Sequence, residues 1–126
     1  AKRLEQIKAT TEDTARIQLV EMNVRWFREF LAHDPARSLE KISIPVLAVT
    51  GGKDIQVDPH DTDRICELVG ASCTARIIPD MTHLLRFDAG EPSVRTYKKQ
   101  AERPVDSRLT DLVGTWITER ATIAGA

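Results

Sequence analysis

The chain has 126 residues, 41% hydrophobic and 29% charged, which is enough for one globular core and short for two. Lys and Arg number 18 against 19 Asp and Glu, a formal net charge of -1. That balance supplies no field for nucleic acid or an anionic membrane surface, and the apolar runs fall far short of the roughly 20 residues that cross a bilayer. The opening Ala1-Lys2-Arg3-Leu4-Glu5-Gln6 is polar at once, so no signal peptide is expected and the expected location is the cytoplasm.

Residues 15–32 read as one helix. Ile17, Val20, Val24, Phe27 and Leu31 make one stripe at helical spacing, and Leu19, Met22, Trp26 and Phe30 make a second. Together they predict a helix covered on most of its girth. Thr10 and Thr11, followed by Glu12 and Asp13, supply a cap and favourable first-turn charge. Asp34-Pro35 ends the helix, because the residue before proline is pushed out of the helical region. Arg25, Arg28 and Glu29 read as solvated charges on it.

Val46-Leu47-Ala48-Val49-Thr50 is a continuous apolar run, the pattern of a parallel strand covered on both faces. Residues 58–70 predict a helix, with Asp58 as cap, Pro59 in the first turn, Ile65, Leu68 and Val69 facing inward, and Gly70 as the stop. Residues 74–78 predict a second strand, parallel to the first and ended by Pro79. Cys66 and Cys73 form neither a Cys-x-x-Cys nor a zinc spacing, and Cys66 reads as a buried thiol rather than half of a disulfide. No strong period runs through 79–105. A stretch of that length is functional or conceals a short helix, here at "PSVRTYKK" over 92–99. Leu109, Leu112, Val113, Trp116 and Ile117 then form the stripe of a closing helix behind an Asp106 cap. Two strands alone do not bury a sheet on both faces, so the unit either oligomerises or belongs to a larger chain.

Two residues carry the candidate chemistry. Asp54 follows the first strand through Gly51-Gly52-Lys53, and His83 follows the second. Alone, each reads first as a turn or loop residue. Placed just past the carboxyl ends of adjacent parallel strands, they stand where an acid and a base can be held together. Gly51 and Gly52 are expected to permit the sharp exit that turns the carboxylate sideways. His60 with Asp58, Asp61 and Asp63 reads as capping and helix-dipole charge rather than a metal cluster. His33 beside Asp34 is discounted as a dyad, because neighbours on a helix end point apart. Met81, Leu84 and Leu85 either line an acyl pocket or pack as wall.

The stretch "IPVLAVTGGKDIQV", then a helix, a second strand and "IPDMTHLLR", resembles the carboxy-terminal part of the α/β-hydrolase fold in its esterase and serine-peptidase-like branch. The resemblance implies an α/β architecture: a cap-like helical segment over 1–41, then a strand–helix–strand unit with a closing helix over 42–126. It implies Asp54 as the acid and His83 as the base of a Ser-Asp-His type triad that cleaves an ester, thioester or amide through an acyl-enzyme, with serine the commonest nucleophile and cysteine or aspartate in its place in related proteins. A small acyl substrate and no cofactor or metal follow from the same resemblance. The sequence departs from the family at one point: Ser38, Ser43, Ser72, Ser93 and Ser107 all stand outside any Gly-x-Ser-x-Gly. The nucleophile and oxyanion donors are therefore expected outside this chain, supplied by a missing amino-terminal half; self-association is the other way to complete the sheet. The alternative is a non-catalytic assembly or binding module of the same ancestry.

Overall fold

The computed structural model describes residues 2–17 and 20–124. The chain forms two compact units, Ala1–Pro35 and Ala36–Ala126. Residues 36–41, grouped with the first segment on sequence, lie within the second unit.

The first unit runs α1 (Lys2–Ala9), β1 (Thr14–Ile17), β2 (Val20–Asn23) and α2 (Val24–Ala32). β1 and β2 pair antiparallel, Thr14 opposite Asn23 and Ile17 opposite Val20. The single helix expected over 15–32 is thus a hairpin followed by a shorter helix. Its apolar residues satisfy two periods at once, and alternation of Ala15 and Ile17 with Arg16, and of Val20 and Met22 with Glu21, prevails over the helical one. The boundary is written at Asn23, whose side-chain oxygen accepts the Trp26 amide at 2.9 Å and caps α2. Thr10, expected to cap a helix, instead accepts the Glu12 amide in the turn before β1. Leu19 lies outside the described residues.

Val24 is fully buried against Ile7, with Ala15, Met22 and Phe27 packed around them. The second stripe stays open: Trp26 is 53% and Phe30 63% exposed, their rings stacked at 5.3 Å. A nine-residue helix over a two-stranded ribbon has one face to bury, so the expected all-round cover is absent. Arg25 meets Glu29 one turn on at 2.9 Å, and the Arg28 guanidinium donates to the Glu12 carbonyl.

The short helix α3 (Pro35–Leu39) spans the boundary between the units. There follow β3 (Val46–Gly51), α4 (Asp61–Leu68), β4 (Cys73–Ile78), a 3₁₀ turn (Val94–Thr96), α5 (Tyr97–Ala101) and α6 (Ser107–Ala124). β3 and β4 are parallel neighbours, in register from Val46 opposite Cys73 to Gly51 opposite Ile78. The expected cover on both faces is only partial: Ala48 and Thr50 are buried, whereas Val46, Leu47 and Val49 are half-buried. A two-stranded sheet leaves one edge of each strand unpaired among the described residues.

α4 begins later than Asp58, which instead accepts the His60 amide at 2.9 Å and turns the chain into the helix. The Asp106 carboxylate accepts the Arg108 amide at 3.0 Å at the start of α6, as a cap does. The structure resolves 92–99 into the 3₁₀ turn and the beginning of α5. No helix among the described residues is long and apolar enough to cross a membrane.

Cys66 and Cys73 form a disulfide, which corrects the reading of Cys66 as a free thiol. The chain returns so tightly from α4 into β4 that the first strand residue lies beneath the last helical turn. The resulting Cα separation of 5.1 Å suits a disulfide. Chain-entropy arguments for so short a loop put the crosslink at about 2–3 kcal/mol. Replacing both cysteines by alanine should lower the urea midpoint accordingly, and an unchanged midpoint would deny the bond a role in stability.

Candidate active site

The site begins where β3 ends. The Gly52 amide donates to the Ile78 carbonyl at 2.9 Å and the Lys53 amide to the Met81 carbonyl at 3.0 Å, so the strand's exit is laced to the chain leaving β4. A Cβ on Gly51 would fall on the Met81 carbonyl. No glycine here has positive φ. Gly51 is required for close backbone approach, and the exit expected of the two glycines is made without a left-handed angle.

Asp54 closes the turn by donating its amide to the Gly51 carbonyl at 3.1 Å. Its Oδ1 accepts the amides of Gln56 at 2.8 Å and Val57 at 3.3 Å, which aims the carboxylate back along the sheet edge. The side chain is only 7% exposed. Burial pushes the carboxyl up, but the Gln56 amide, the His83 ring and the Val57 amide together outweigh it and hold the group below the usual carboxylate range.

His83 sits in a tight loop after β4. Met81 bridges Phe87 in antiparallel fashion, the Thr82 amide donates to the Arg86 carbonyl at 3.0 Å, and the Leu85 amide donates to the Thr82 carbonyl at 2.8 Å. Asp80 and Leu85 flank the histidine in left-handed backbone conformations, at φ 60 and 61. The Asp106 amide, at the approach to α6, donates to the Leu85 carbonyl at 2.9 Å and ties the loop down.

Asp54 and His83 meet. The ring Nδ1 lies 2.9 Å from Asp54 Oδ2 and 3.2 Å from Oδ1. An ionised carboxylate only accepts, so the contact places the proton on Nδ1. Nε2 is left as the basic nitrogen on a side chain 38% exposed.

Lys53, given no role on sequence, connects the two loops. Its ammonium reaches the Asp88 carbonyl at 2.8 Å, the Gly90 carbonyl at 2.9 Å and the Asp80 carboxylate at 2.8 Å. The signal for it was slight: a cation between a glycine pair and a carboxylate. Met81 is fully buried and is wall, whereas Leu85 is 40% exposed and Leu84 half-buried. His60 lies 3.8 Å from Asp63 on the exposed start of α4. Among the described residues no group of three or more His, Cys, Asp or Glu is placed to hold a metal ion. Tyr97 accepts a long hydrogen bond from the Gln56 amide side chain at 3.4 Å.

Asp106 is a second buried carboxylate, 4% exposed in its side chain. The Arg108 side chain lowers its pKa, against burial, with further help from the Arg108 amide. A carboxyl depressed in the folded state stabilises above its unfolded pKa of about 3.9, and that stabilisation disappears as pH falls through the lower folded value. Stability should therefore be level from neutral pH to about 5 and fall steeply below about 4. In a thermal-unfolding series the acid fall should shrink in Asp106→Asn; an identical acid slope in that variant would contradict the assignment.

The described geometry is that of a parallel strand–helix–strand unit with a carboxylate–imidazole pair at its carboxyl edge. Over 97 residues, 75% of this chain, the sequence is 28% identical to Esterase EstD of Thermotoga maritima, and the match spans 23% of that protein. The chain thus covers about a quarter of the length of the curated relative it matches. No protein-family profile matches the chain. No solved structure matches it either. The chain thus has a mixed α/β fold and a partial similarity to an esterase.

Proposed function

We propose that the chain is the carboxy-terminal part of an α/β-hydrolase that cleaves a small ester, thioester or amide through a covalent acyl-enzyme. In this reading the first segment is cap-like, Asp54 is the acid and His83 the base. The nucleophile and oxyanion donors lie outside these residues. One observation carries the reading: Nδ1 of His83 sits 2.9 Å from a buried Asp54 carboxylate, at the edge where both parallel strands end.

The chemistry follows from that contact. Nε2 takes the proton of a nucleophilic hydroxyl as its oxygen bonds to the substrate carbonyl carbon. The imidazolium so formed is stabilised across Nδ1 by Asp54, which stays ionised. Nε2 then returns the proton to the leaving alcohol, thiol or amine as its bond to carbon breaks, and a water repeats the sequence to free the acid. Similarity to an esterase supports ester cleavage. Unpaired sheet edges and exposed Ile44 and Ile77 support completion of the sheet by further chain or by a second copy.

A serine-reactive fluorophosphonate tests the proposal. In the full-length protein it should label one serine outside these residues and none of the five serines here, while the 126-residue chain by itself should show no turnover of activated esters above an imidazole background. Saturable, fluorophosphonate-sensitive turnover by this chain alone would overturn the proposed division of the triad. Full-length protein that neither labels nor turns over would favour the non-catalytic module.

A further inference from the structure

The feature that goes furthest beyond the acid–base pair is a buried amide behind it. Gln100, on α5, is 1% exposed, and Thr82, next to His83, is 2% exposed. The Thr82 hydroxyl donates to Gln100 Oε1 at 2.6 Å. Gln100 Nε2 donates to Asp88 Oδ2 and to Thr96 Oγ1, each at 2.8 Å. Asp88 in turn presents its carbonyl to the Lys53 ammonium at 2.8 Å. Since Lys53 precedes Asp54 and Thr82 precedes His83, the contacts close a ring: Asp54, His83, Thr82, Gln100, Asp88, Lys53. The link between the two candidate triad residues is one side of that ring.

We infer that Gln100 is a positioning residue for His83, acting through Thr82, an inference that rests on the proposed catalytic role of the Asp54–His83 pair. Only an amide meets the demands of this place. Its oxygen must accept from a hydroxyl while its nitrogen donates to a carboxylate. A glutamate there would set a second negative charge against Asp88, and an apolar side chain would strand the Thr82 hydroxyl and leave Asp88 Oδ2 without its donor, while Oδ1 keeps the Gly90 amide. The loop that carries His83 also holds two residues in left-handed conformations, which persist only where surrounding bonds over-determine the backbone. Gln100 supplies one such bond from an element remote in sequence.

The test uses full-length protein labelled with ¹⁵N-histidine, and it reads the His83 Nδ1 proton resonance and its exchange with water alongside kcat and KM. Gln100→Met and Gln100→Glu keep the side-chain shape, and Thr82→Val cuts the same link without touching Gln100. Thr62→Val removes a different hydroxyl bond, from buried Thr62 on α4 to the Pro59 carbonyl in the turn before it, and controls for general loss of stability. In wild type a downfield Nδ1 proton should be present. It should broaden or exchange at least about tenfold faster in all three ring variants, with Gln100→Glu the worst, and stay sharp in Thr62→Val. A displacement of about 1 Å costs on the order of 10²-fold in rate, so kcat should fall by about that factor with KM little changed. An unaltered Nδ1 proton in Gln100→Met and Thr82→Val, or equal loss in Thr62→Val, would overturn the inference while leaving the acid–base pair standing. A wild type without that proton would instead overturn the pair, and the inference with it.

Discussion

His83→Ala in the full-length protein should remove nearly all turnover, on the order of 10⁶-fold in kcat, as loss of the base in an intact triad does. The size follows from the geometry. Among the described residues His83 is the one ring bonded to Asp54, and with Nδ1 engaged by the carboxylate its Nε2 is left to take and return a proton. The fold should survive, because the loop is held by its backbone and the ring is more than a third exposed. Asp54→Asn is the companion experiment. Asparagine retains the turn by accepting the Gln56 amide, but its amide nitrogen favours the tautomer that leaves Nε2 protonated. The loss should be on the order of 10³–10⁴ in kcat. Circular dichroism would establish that both variants fold, and an Asp54→Asn enzyme within tenfold of wild type would remove Asp54 from the mechanism.

Gly51→Ala should be the most damaging small substitution in the second unit. The added methyl falls on the Met81 carbonyl, and that carbonyl is not free to retreat, because it accepts the Lys53 amide. Either the β3 exit or the chain bearing His83 has to move, at the upper end of overpacking costs, about 3 kcal/mol. Gly52→Ala is the internal control. Its methyl would meet the Ile77 side chain and the Pro79 Cα at 3.5 Å, which is ordinary contact. Urea unfolding should show a large loss for position 51 and a small one for position 52, with activity of the full-length protein following the same order. Equal effects would mean that the approach of these two backbones is not a constraint.

The parts of the fold legible in the sequence are those where one physical signal was unopposed. The apolar run from Val46 to Thr50 and the glycine stop after α4 gave a strand and a helix near their observed limits, and the parallel pairing followed. The pairing brought Asp54 and His83 together, because both leave the same sheet edge. The hairpin was missed where two periods overlapped on Ile17, Val20 and Met22, although Asn23 carried a cap signal inside the segment. Cys66 and Cys73 looked too ordinary to pair, since what joins them is the tightness of one return rather than any spacing rule. Lys53 and Gln100 escaped because hydrogen-bond networks between loops leave no periodicity. Gln100 is an amide in a polar stretch, and only the fold turns it inward.

The left-handed backbone at Leu85 narrows what heredity can try there. Accessibility alone would class this 40% exposed leucine as freely exchangeable. Its dihedral says otherwise, since φ of 61 is comfortable for glycine, tolerable for asparagine and hostile to valine, isoleucine and threonine. The amide and carbonyl of Leu85 are both engaged, with Thr82 and Asp106, so the backbone does not relax to suit a newcomer. Codons for leucine reach isoleucine and valine in one step but glycine and asparagine only in two. Two of the changes one step away are therefore among those this position tolerates least, and the residue two places after His83 is constrained by its backbone rather than by burial.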